Sequence, residues 1–254
     1  MRVPPFANVP AAAAPPEPGY GAIFDQRGHP YDAAMRAYPQ ARRREFALLF
    51  EREPLGPGEV VVDVPSLGGY LPWYFPQIGR VINLDFAAAP RPGVRCVSPT
   101  GNWDLPATVD RVVCLAALHH VADLGGFLTN LRNQIAPGVR VHLADVGRGS
   151  RIGLFLDTIV DAHTPTGHRG LYRDWPRQRF PDGLAVAAVR EEPCPWILPD
   201  AGAAARFCRL LFGLEGLGDA ALLQALEQGV GLEHHSDGMV TILWELTYVD
   251  LVRI

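Results

Sequence analysis

Short apolar runs recur along residues 59–146, and each is bounded by glycine, proline or polar residues. Runs of about four to eight aliphatic and β-branched residues are typical of strands buried on both faces of a parallel sheet. We expect such strands at 59–64, 80–86, 93–98, 109–118 and 137–146. Helical patterns follow two of them, at 70–78 and 122–135. Strands that alternate with helices at this spacing form βαβ units, so the pattern predicts a doubly wound α/β fold.

The pattern changes after Val146. The polar segment 164–183, rich in glycine and proline, is expected to be a surface loop. Apolar residues at helical spacing predict helices at 150–163, 201–214 and 219–229. Apolar runs predict strands at 184–191 and 239–251. We therefore expect a single domain over residues 21–254, with added helical cap elements at about 147–183 and 200–230.

The chain before the first strand has two parts. Residues 1–20 are rich in proline and alanine and are expected to form a flexible arm. Residues 31–52 show a helical pattern with Pro39 as a break. The basic run Arg42–Arg44 is expected on a solvated helix face, with a phosphate-binding patch as the alternative.

Composition narrows the classes of chemistry. The chain has 254 residues, of which 48% are hydrophobic and 20% charged, as is usual for a globular domain. All 23 basic residues are arginine, so a Schiff-base lysine and a phosphate-loop lysine are excluded. The net charge of −4 argues against a sequence-independent grip on nucleic acid. No apolar run has the length of a membrane span, so no membrane association is expected.

Cysteine usage bears on compartment and on metal binding. The four cysteines are widely spaced and form no CxxC pair, so neither a zinc site nor a disulfide framework is expected. This usage fits a reducing cytoplasm. The N-terminal residues lack the continuous apolar stretch of a signal peptide, so we expect a cytoplasmic protein. A monomer and a homodimer are both left open.

Two carboxylates stand at the ends of predicted strands. Asp63 precedes a turn with Gly68 and Gly69, whose backbone a ligand can approach closely because no Cβ intervenes. Asp85 ends the next strand, where a carboxylate can accept hydrogen bonds from ribose hydroxyls. Together these features indicate a ligand that contains a nucleoside.

Four segments in order carry a family resemblance: VVDVPSLGGYL, INLDF, VDRVVCLAALHHVAD and LRNQIAPGVRVHLADV. They resemble the motifs of class I S-adenosylmethionine (SAM)-dependent methyltransferases, and the HHV segment followed by an acidic residue resembles the small-molecule enzymes of that class. The resemblance covers about residues 40–150. It implies a Rossmann-like, mostly parallel sheet of about seven strands with an antiparallel last strand. It also implies SAM as cofactor and methylation of a small-molecule acceptor. We expect O-methylation of a metabolite or glycoside, with N- or C-methylation left open.

The resemblance implies roles for individual residues. Those expected around the methionine part of the cofactor are Asp63, Ser66, Gly68, Gly69, Leu115 and Ala116. Those expected around its ribose and adenine are Asp85, Phe86, Trp103 and Asp104. Those expected to face the methyl transfer or the acceptor are His119, His120, His168, Arg169 and Tyr172.

The histidines suggest the acid–base chemistry. We hypothesise that one of His119, His120 and His168 removes a hydroxyl proton from the acceptor, because neutral imidazole is available at physiological pH. His163 and His168, with Asp145 nearby in sequence, are an alternative metal-ligand set, but their spacing matches no zinc motif, so no metal is expected. Five aromatic residues of the second half are expected in the core rather than at the substrate: Trp196, Phe207, Phe212, Trp244 and Tyr248.

The loop after Asp63 departs from the family pattern. Pro65 has no N–H, and Leu67 stands where glycine is expected. One alternative is therefore a methyltransferase-fold protein that has lost methyl transfer and acts in other chemistry or as a binding partner. A nicotinamide-dependent oxidoreductase is a further alternative, although residues 65–69 do not match the G-x-G-x-x-G fingerprint.

Overall fold

The computed structural model describes residues 19–87 and 91–254. The predicted N-terminal arm lies outside the described residues except for its last two. The helices are α1 (Tyr20–Ala37), α2 (Arg43–Ala47), α3 (Leu71–Tyr74), α4 (Leu124–Gln134), α5 (Arg151–Phe155), α6 (Asp161–His163), α7 (Ala201–Phe212) and α8 (Asp219–Gly229). The strands are β1 (Val60–Asp63), β2 (Arg80–Asp85), β3 (Val94–Cys96), β4 (Arg111–Leu115), β5 (Arg140–Asp145), β6 (Leu184–Pro193), β7 (Trp196–Leu198), β8 (Leu232–His234), β9 (Val240–Ile242) and β10 (Glu245–Arg253).

A seven-stranded sheet organises the described residues, in the order β3-β2-β1-β4-β5-β10-β6. Strands β1 to β5 pair in parallel, and β10 runs antiparallel to both β5 and β6. Helices pack on both sides of the sheet and enclose two apolar cores. The prediction of a doubly wound, mostly parallel sheet with an antiparallel last strand is therefore confirmed.

Local sequence explains why the central elements form where they do. Val61 and Val62 of β1 and Val112 and Val113 of β4 are buried, as expected for strands covered on both faces. Asp123 caps α4 by accepting a hydrogen bond from the Gly126 N–H at 2.8 Å, and Asp200 caps α7 through the Ala203 N–H at 2.7 Å. Helix α7 ends at Gly213, whose φ of +64° is the left-handed conformation that glycine adopts readily.

Helix α1 corrects the reading of the N-terminal region. It begins at Tyr20, well before the predicted start at residue 31, and it contains Pro30. Intrinsic propensity disfavours a helix with internal proline, but its apolar side chains Ile23, Phe24 and Met35 are buried in the core that α7 shares. Tertiary packing therefore decides this helix. The predicted break at Pro39 is confirmed, because α1 ends at Ala37 and α2 begins at Arg43.

Two further predictions are wrong in part. The single strand expected at 239–251 is two strands, since β9 joins a small antiparallel sheet, β7-β9-β8, and β10 joins the main sheet. The chain switches sheets at Trp244, whose N–H bonds the Ile242 carbonyl at 2.8 Å. The segment 164–183 is not only surface, because His168 and Trp175 are buried. None of the described helices combines the length and apolar character needed to cross a bilayer.

Candidate active site

The candidate site lies where the strand order reverses, between β1 and β4. In open α/β sheets, ligands bind in the crevice that forms outside the carboxyl ends of the strands at this switch point. Asp63 ends β1, and Leu115 ends β4. The loops that follow these two strands carry the predicted cofactor loop and the predicted histidines, so the fold brings both sets of residues to one edge of the sheet.

Two buried polar groups lie at the end of β1 and in the loop that follows it. Asp63 is buried, and burial together with the nearby Asp85 carboxylate raises its pKa to about 8. The Ser66 hydroxyl is buried without a hydrogen-bond partner. A buried polar group without a partner is costly. These two groups therefore fit a ligand with a cationic or hydrogen-bonding end, such as the amino-acid part of SAM.

The backbone of this loop is tight. Leu67 adopts a φ of +55° and Gly69 a φ of +70°. A Cβ added at Gly68 would lie 2.4 Å from the end of the Tyr70 side chain, so any larger residue there would require the Tyr70 ring to move. Ala116, just after β4, has a φ of +52°. Positive φ values at residues with side chains cost free energy and cluster at functional sites, which supports the assignment of these loops.

Asp85 is held by the protein itself. Its Oδ1 accepts the Ala87 N–H at 2.8 Å, and its Oδ2 accepts the Tyr20 hydroxyl of α1 at 3.3 Å. The Arg91 guanidinium lies 3.7 Å from the same oxygen. Burial still raises the pKa of Asp85. Helix α1 therefore covers the carboxylate that is predicted to bind ribose.

The three residues predicted around the adenine lie in different environments. Phe86 is partly buried and makes an edge contact with Phe127, at 5.9 Å between ring centroids. Trp103 is fully buried, and its indole N–H donates to the Ser98 carbonyl at 2.8 Å. Asp104 is exposed and bonded to Asn102, so it lies on the surface of the loop. The roles assigned to these three residues stay predictions.

Three histidines meet beside this region. His119 and His120 follow β4 in a short 3-10 turn, and His168 comes from the loop after α6. One ring nitrogen from each lies within 4.8 Å of the others. The ring centroids are 4.1 Å apart for His119 and His120, and 4.9 Å apart for His120 and His168. All three predicted catalytic histidines therefore form one cluster.

Sequence reasoning missed two carboxylates that hold this cluster. Asp145 ends β5, and its Oδ1 lies 2.5 Å from Nδ1 of His119. Asp157 lies 3.5 Å from Nδ1 of His168 and also accepts the Tyr172 hydroxyl at 2.8 Å. The signal for Asp145 was present, because it ends the strand adjacent to β4. Asp157 had no local signal, since it depends on a π-helical turn, Leu156–Val160.

The two predicted acceptor residues separate. Tyr172 packs beside His119, with ring centroids 5.7 Å apart, and is part of the cluster. Arg169 has a side chain that is 61% exposed and pairs with Asp161 at 3.2 Å. It does not line the cavity described next. Its role in acceptor binding stays a prediction.

Burial favours the neutral form of two histidines in the cluster, His120 and His168. Burial lowers the pKa of His168 to about 4 and lowers the pKa of His120 well below its ordinary value. The Arg27 guanidinium from α1 adds to both shifts. Burial in turn lowers the pKa of Arg27 to about 10. The Arg27 side chain donates to the Gly167 carbonyl, but its Nε is buried without a partner.

The histidines open onto a cavity of about 60 Å³. Its lining also includes three aromatic residues that were predicted to be core: Trp196, Phe212 and Trp244. They are buried, as predicted, but they also line the cavity. Trp196 and Trp244 stack with ring centroids 4.0 Å apart. The cavity is therefore lined both by the histidines and by flat aromatic rings.

A buried ion pair supports the aromatic wall. Arg42 pairs with Glu45, and both side chains are almost fully buried. Glu45 also accepts the Trp196 indole N–H at 2.8 Å. The expectation that Arg42 lies on a solvated face is wrong, because the packing of α2 against β7 places it inside. Arg43 and Arg44 are exposed as expected.

No protein-family model and no curated protein matches the sequence. Solved structures do match the fold. One is a chain of the complex between the Haloferax volcanii Trm112 methyltransferase activator and a methyltransferase, at 17% identity and a TM-score of 0.59, covering 92% of this chain and 98% of that chain. A geranyl diphosphate methyltransferase in complex with SAM aligns at 13% identity and a TM-score of 0.54, covering 96% of this chain and 100% of that chain.

A third match is the geranyl diphosphate C-methyltransferase of Streptomyces coelicolor, solved with Mg²⁺, geranyl diphosphate and S-adenosyl-L-homocysteine. It aligns at 10% identity and a TM-score of 0.51, covering 88% of this chain and 84% of that chain. Identities this low establish the fold alone. The chain therefore has the fold of the class I SAM-dependent methyltransferases.

Proposed function

We propose that this protein is a SAM-dependent methyltransferase that methylates an oxygen of a small-molecule metabolite or glycoside. One observation carries the proposal. The buried Asp63 carboxylate, the unpartnered Ser66 hydroxyl and the histidine cluster (His119, His120 and His168) lie near the carboxyl ends of β1 and β4. Methyl donor and acceptor must lie side by side for methyl transfer. This edge of the sheet offers polar groups to the donor at Asp63 and Ser66, and to the acceptor at the histidine cluster.

The cofactor residues divide by chemistry. The Asp63 carboxylate suits the ammonium of the methionine part, and the Ser66 hydroxyl suits a polar group beside it. Asp85 suits the ribose hydroxyls once Tyr20 releases it. When bound, SAM supplies an activated methyl group on a sulfonium. Leu115 and Ala116 at the end of β4 would form the floor beneath that group.

The acceptor end is set by the cavity. The stacked indoles of Trp196 and Trp244 favour a flat apolar molecule, and the histidine cluster that lines the same cavity favours a hydroxyl. The histidines promote loss of the hydroxyl proton, while the walls position the oxygen. Such positioning can supply on the order of 7–11 kcal/mol of a reaction barrier at best.

Helix α1 acts as the cover of both subsites. Tyr20 contacts Asp85, Phe24 contacts His120, and Arg27 reaches the histidine cluster. The cavity beneath α1 has a volume of about 60 Å³. We infer that α1 moves to admit the cofactor and acceptor, and that its return excludes water during the reaction.

A second candidate has an observation in its favour. Leu67 lines the cavity, and Tyr20 occupies an oxygen of Asp85, so the cofactor loop is filled by the protein's own side chains. A methyltransferase-fold protein that has lost methyl transfer and acts in other chemistry or as a binding partner would show the same features.

Calorimetry and thermal shift with SAM, S-adenosylhomocysteine and NAD separate these functions. The methyltransferase predicts saturable binding of both adenosyl compounds, with a rise in melting temperature, and no effect of NAD. The loss of binding on Asp63→Asn, with Asp104→Asn as the control at an exposed carboxylate, would place the cofactor at β1. No response to either adenosyl compound would favour the second candidate, and a response to NAD alone would favour an oxidoreductase.

A further inference from the structure

The histidine cluster has the ligand set of a metal centre. His119 directs Nδ1 to Asp145, so the neutral ring carries its proton on that nitrogen and keeps a lone pair on Nε2. His168 is buried, and its Nδ1 forms no hydrogen bond. One nitrogen of each of the three rings lies within 4.8 Å of the others. Ligand nitrogens about 2.0–2.1 Å from a zinc ion need only a modest closing of this triangle.

The carboxylates beside the cluster repeat a feature of metal sites. A histidine that binds a metal commonly donates its other ring N–H to a carboxylate, which fixes the ring and raises its basicity. Asp145 makes this contact with His119 at 2.5 Å, whereas Asp157 lies 3.5 Å from Nδ1 of His168 without a hydrogen bond. One of the three rings therefore has its outer carboxylate in place, and a second ring has a carboxylate close by.

The local backbone is arranged around Asp157. This residue lies in the π-helical turn Leu156–Val160, and it also accepts the Gly170 N–H at 2.9 Å and the Tyr172 hydroxyl at 2.8 Å. Single π-helical turns in α-helices are frequent at functional sites. The turn fixes the loop that delivers His168 to the two histidines after β4.

We propose that His119, His120 and His168 form a site for a divalent transition-metal ion of the zinc type, with a coordination position open to the cavity. All three donors are imidazole nitrogens, which suit zinc, copper, iron and nickel, whereas magnesium and calcium prefer oxygen. Three protein ligands and one open position are the pattern of reactive zinc sites, while structural sites are closed by four ligands.

Arg27 indicates what takes the open position. Its guanidinium lies near His120 and His168, and its buried Nε has no partner. A buried guanidinium is tolerated when an anion pairs with it. Hydroxide or a deprotonated acceptor oxygen meets this need, because an ion lowers the pKa of an oxygen bound to it. The metal proposal stands on the cluster's geometry and does not depend on methyl transfer.

Cobalt titration of the full-length chain tests the site. After removal of metal with a chelator and dialysis, Co²⁺ is expected to saturate at one equivalent, with the visible absorption of a four-coordinate ion, and Zn²⁺ is expected to displace it. Asp145→Asn and Asp157→Asn are expected to weaken binding by about 10–100-fold. His119→Ala, His120→Ala and His168→Ala remove a ligand and are expected to weaken it more.

His234→Ala, at an exposed histidine of β8, is the matched control and is expected to bind Co²⁺ normally. Far-UV circular dichroism checks folding, and His168→Gln replaces His168→Ala if the latter unfolds. Absence of saturable binding in the micromolar range, or equal binding by wild type and the three cluster variants, overturns the proposal. SAM is titrated into the same samples, so that loss of the metal site with SAM binding intact leaves the proposed function standing, and the reverse result leaves the metal site standing.

Discussion

His119 and Asp145 are joined by two contacts across the ends of neighbouring strands. Nδ1 of His119 lies 2.5 Å from Oδ1 of Asp145, and the backbone N–H of His119 donates to Oδ2 at 2.6 Å. Because β4 and β5 pair in parallel, their carboxyl ends place the two residues side by side. The carboxylate therefore fixes both the position and the tautomer of the ring.

Asp145→Asn tests this relationship. An amide can turn only one oxygen toward the two N–H groups, so the ring loses its fixed tautomer. We expect methyl transfer to fall by about 10²–10⁴-fold, by comparison with the loss of an orienting carboxylate in a catalytic triad. The SAM dissociation constant, measured by calorimetry, is expected to stay within about twofold. A variant with wild-type turnover would show that the contact is only structural.

A histidine scan tests the shared role of the cluster. His119→Ala, His120→Ala and His168→Ala are each expected to lower turnover by about 10²–10⁴-fold, the usual contribution of acid–base groups. His234→Ala, on an exposed strand, is expected to have no effect. Single-turnover kinetics with a saturating cofactor measure the chemical step directly. Unchanged turnover in all three cluster variants would contradict a role in acceptor deprotonation.

Asp63 predicts a pH dependence of cofactor binding. Burial raises its pKa to about 8, so the free protein holds it protonated at neutral pH. Pairing with the SAM ammonium requires the carboxylate, and binding must release the proton. We expect SAM affinity to rise by up to about tenfold per pH unit between pH 6 and pH 8 and then to level off. Calorimetry in two buffers of different ionisation enthalpy counts the proton, and a pH-independent affinity would rule the pairing out.

The same residue predicts a pH dependence of stability with the opposite sign. The pKa of Asp63 is about 8 in the folded chain and about 3.9 when unfolded. Its stabilising contribution is therefore complete below about pH 4 and is lost as the pH rises through 8. Asp63→Asn removes this loss. The melting temperature of the variant should therefore rise relative to that of the wild type between pH 6 and pH 9. Parallel melting curves for the two proteins would contradict this assignment.

Leu67 predicts an unusual order of stability. Its φ of +55° is strained for a residue with a Cβ. Both Leu67→Gly and Leu67→Ala lose the buried side chain, but only glycine relieves the backbone. In urea unfolding we expect the glycine variant to be more stable than the alanine variant by about 1 kcal/mol. At Leu223, inside α8, we expect the alanine variant to be more stable than the glycine variant by about 1 kcal/mol, because glycine disfavours helix.

Glu45 predicts a large loss of stability. Removing one partner of a buried ion pair leaves the other charge uncompensated, which costs about 3–5 kcal/mol. Glu45→Ala should therefore lower the free energy of unfolding by that amount, because Arg42 and the Trp196 N–H both lose their acceptor. Glu51→Ala, which breaks an exposed pair with Arg44, should cost less than about 1 kcal/mol. Equal losses in urea unfolding would mean that burial of the pair does not matter.

Part of the candidate site could be predicted from the sequence, because its residues lie at the ends of strands. Asp63 and Asp85 close apolar runs, and parallel strands bring their carboxyl ends to one edge. His119 and His120 follow the same logic after β4. Asp145, the partner of His119, also stands at a strand end, that of β5. Its contact with the ring depends on how the side chains pack, which the strand pattern does not specify.

The sequence by itself determined the parallel sheet, its strand positions and the loops that carry the predicted cofactor residues, because hydrophobic periodicity and strand-end polarity are local properties of the chain. Only the tertiary structure decided the rest. His168 joins His119 from 49 positions away through a π-helical turn, and Arg42 is buried by packing between α2 and β7. Helix α1 continues through Pro30 because its apolar side chains pack in the core that α7 shares. These features depend on contacts between distant segments, whose free energy no local pattern records.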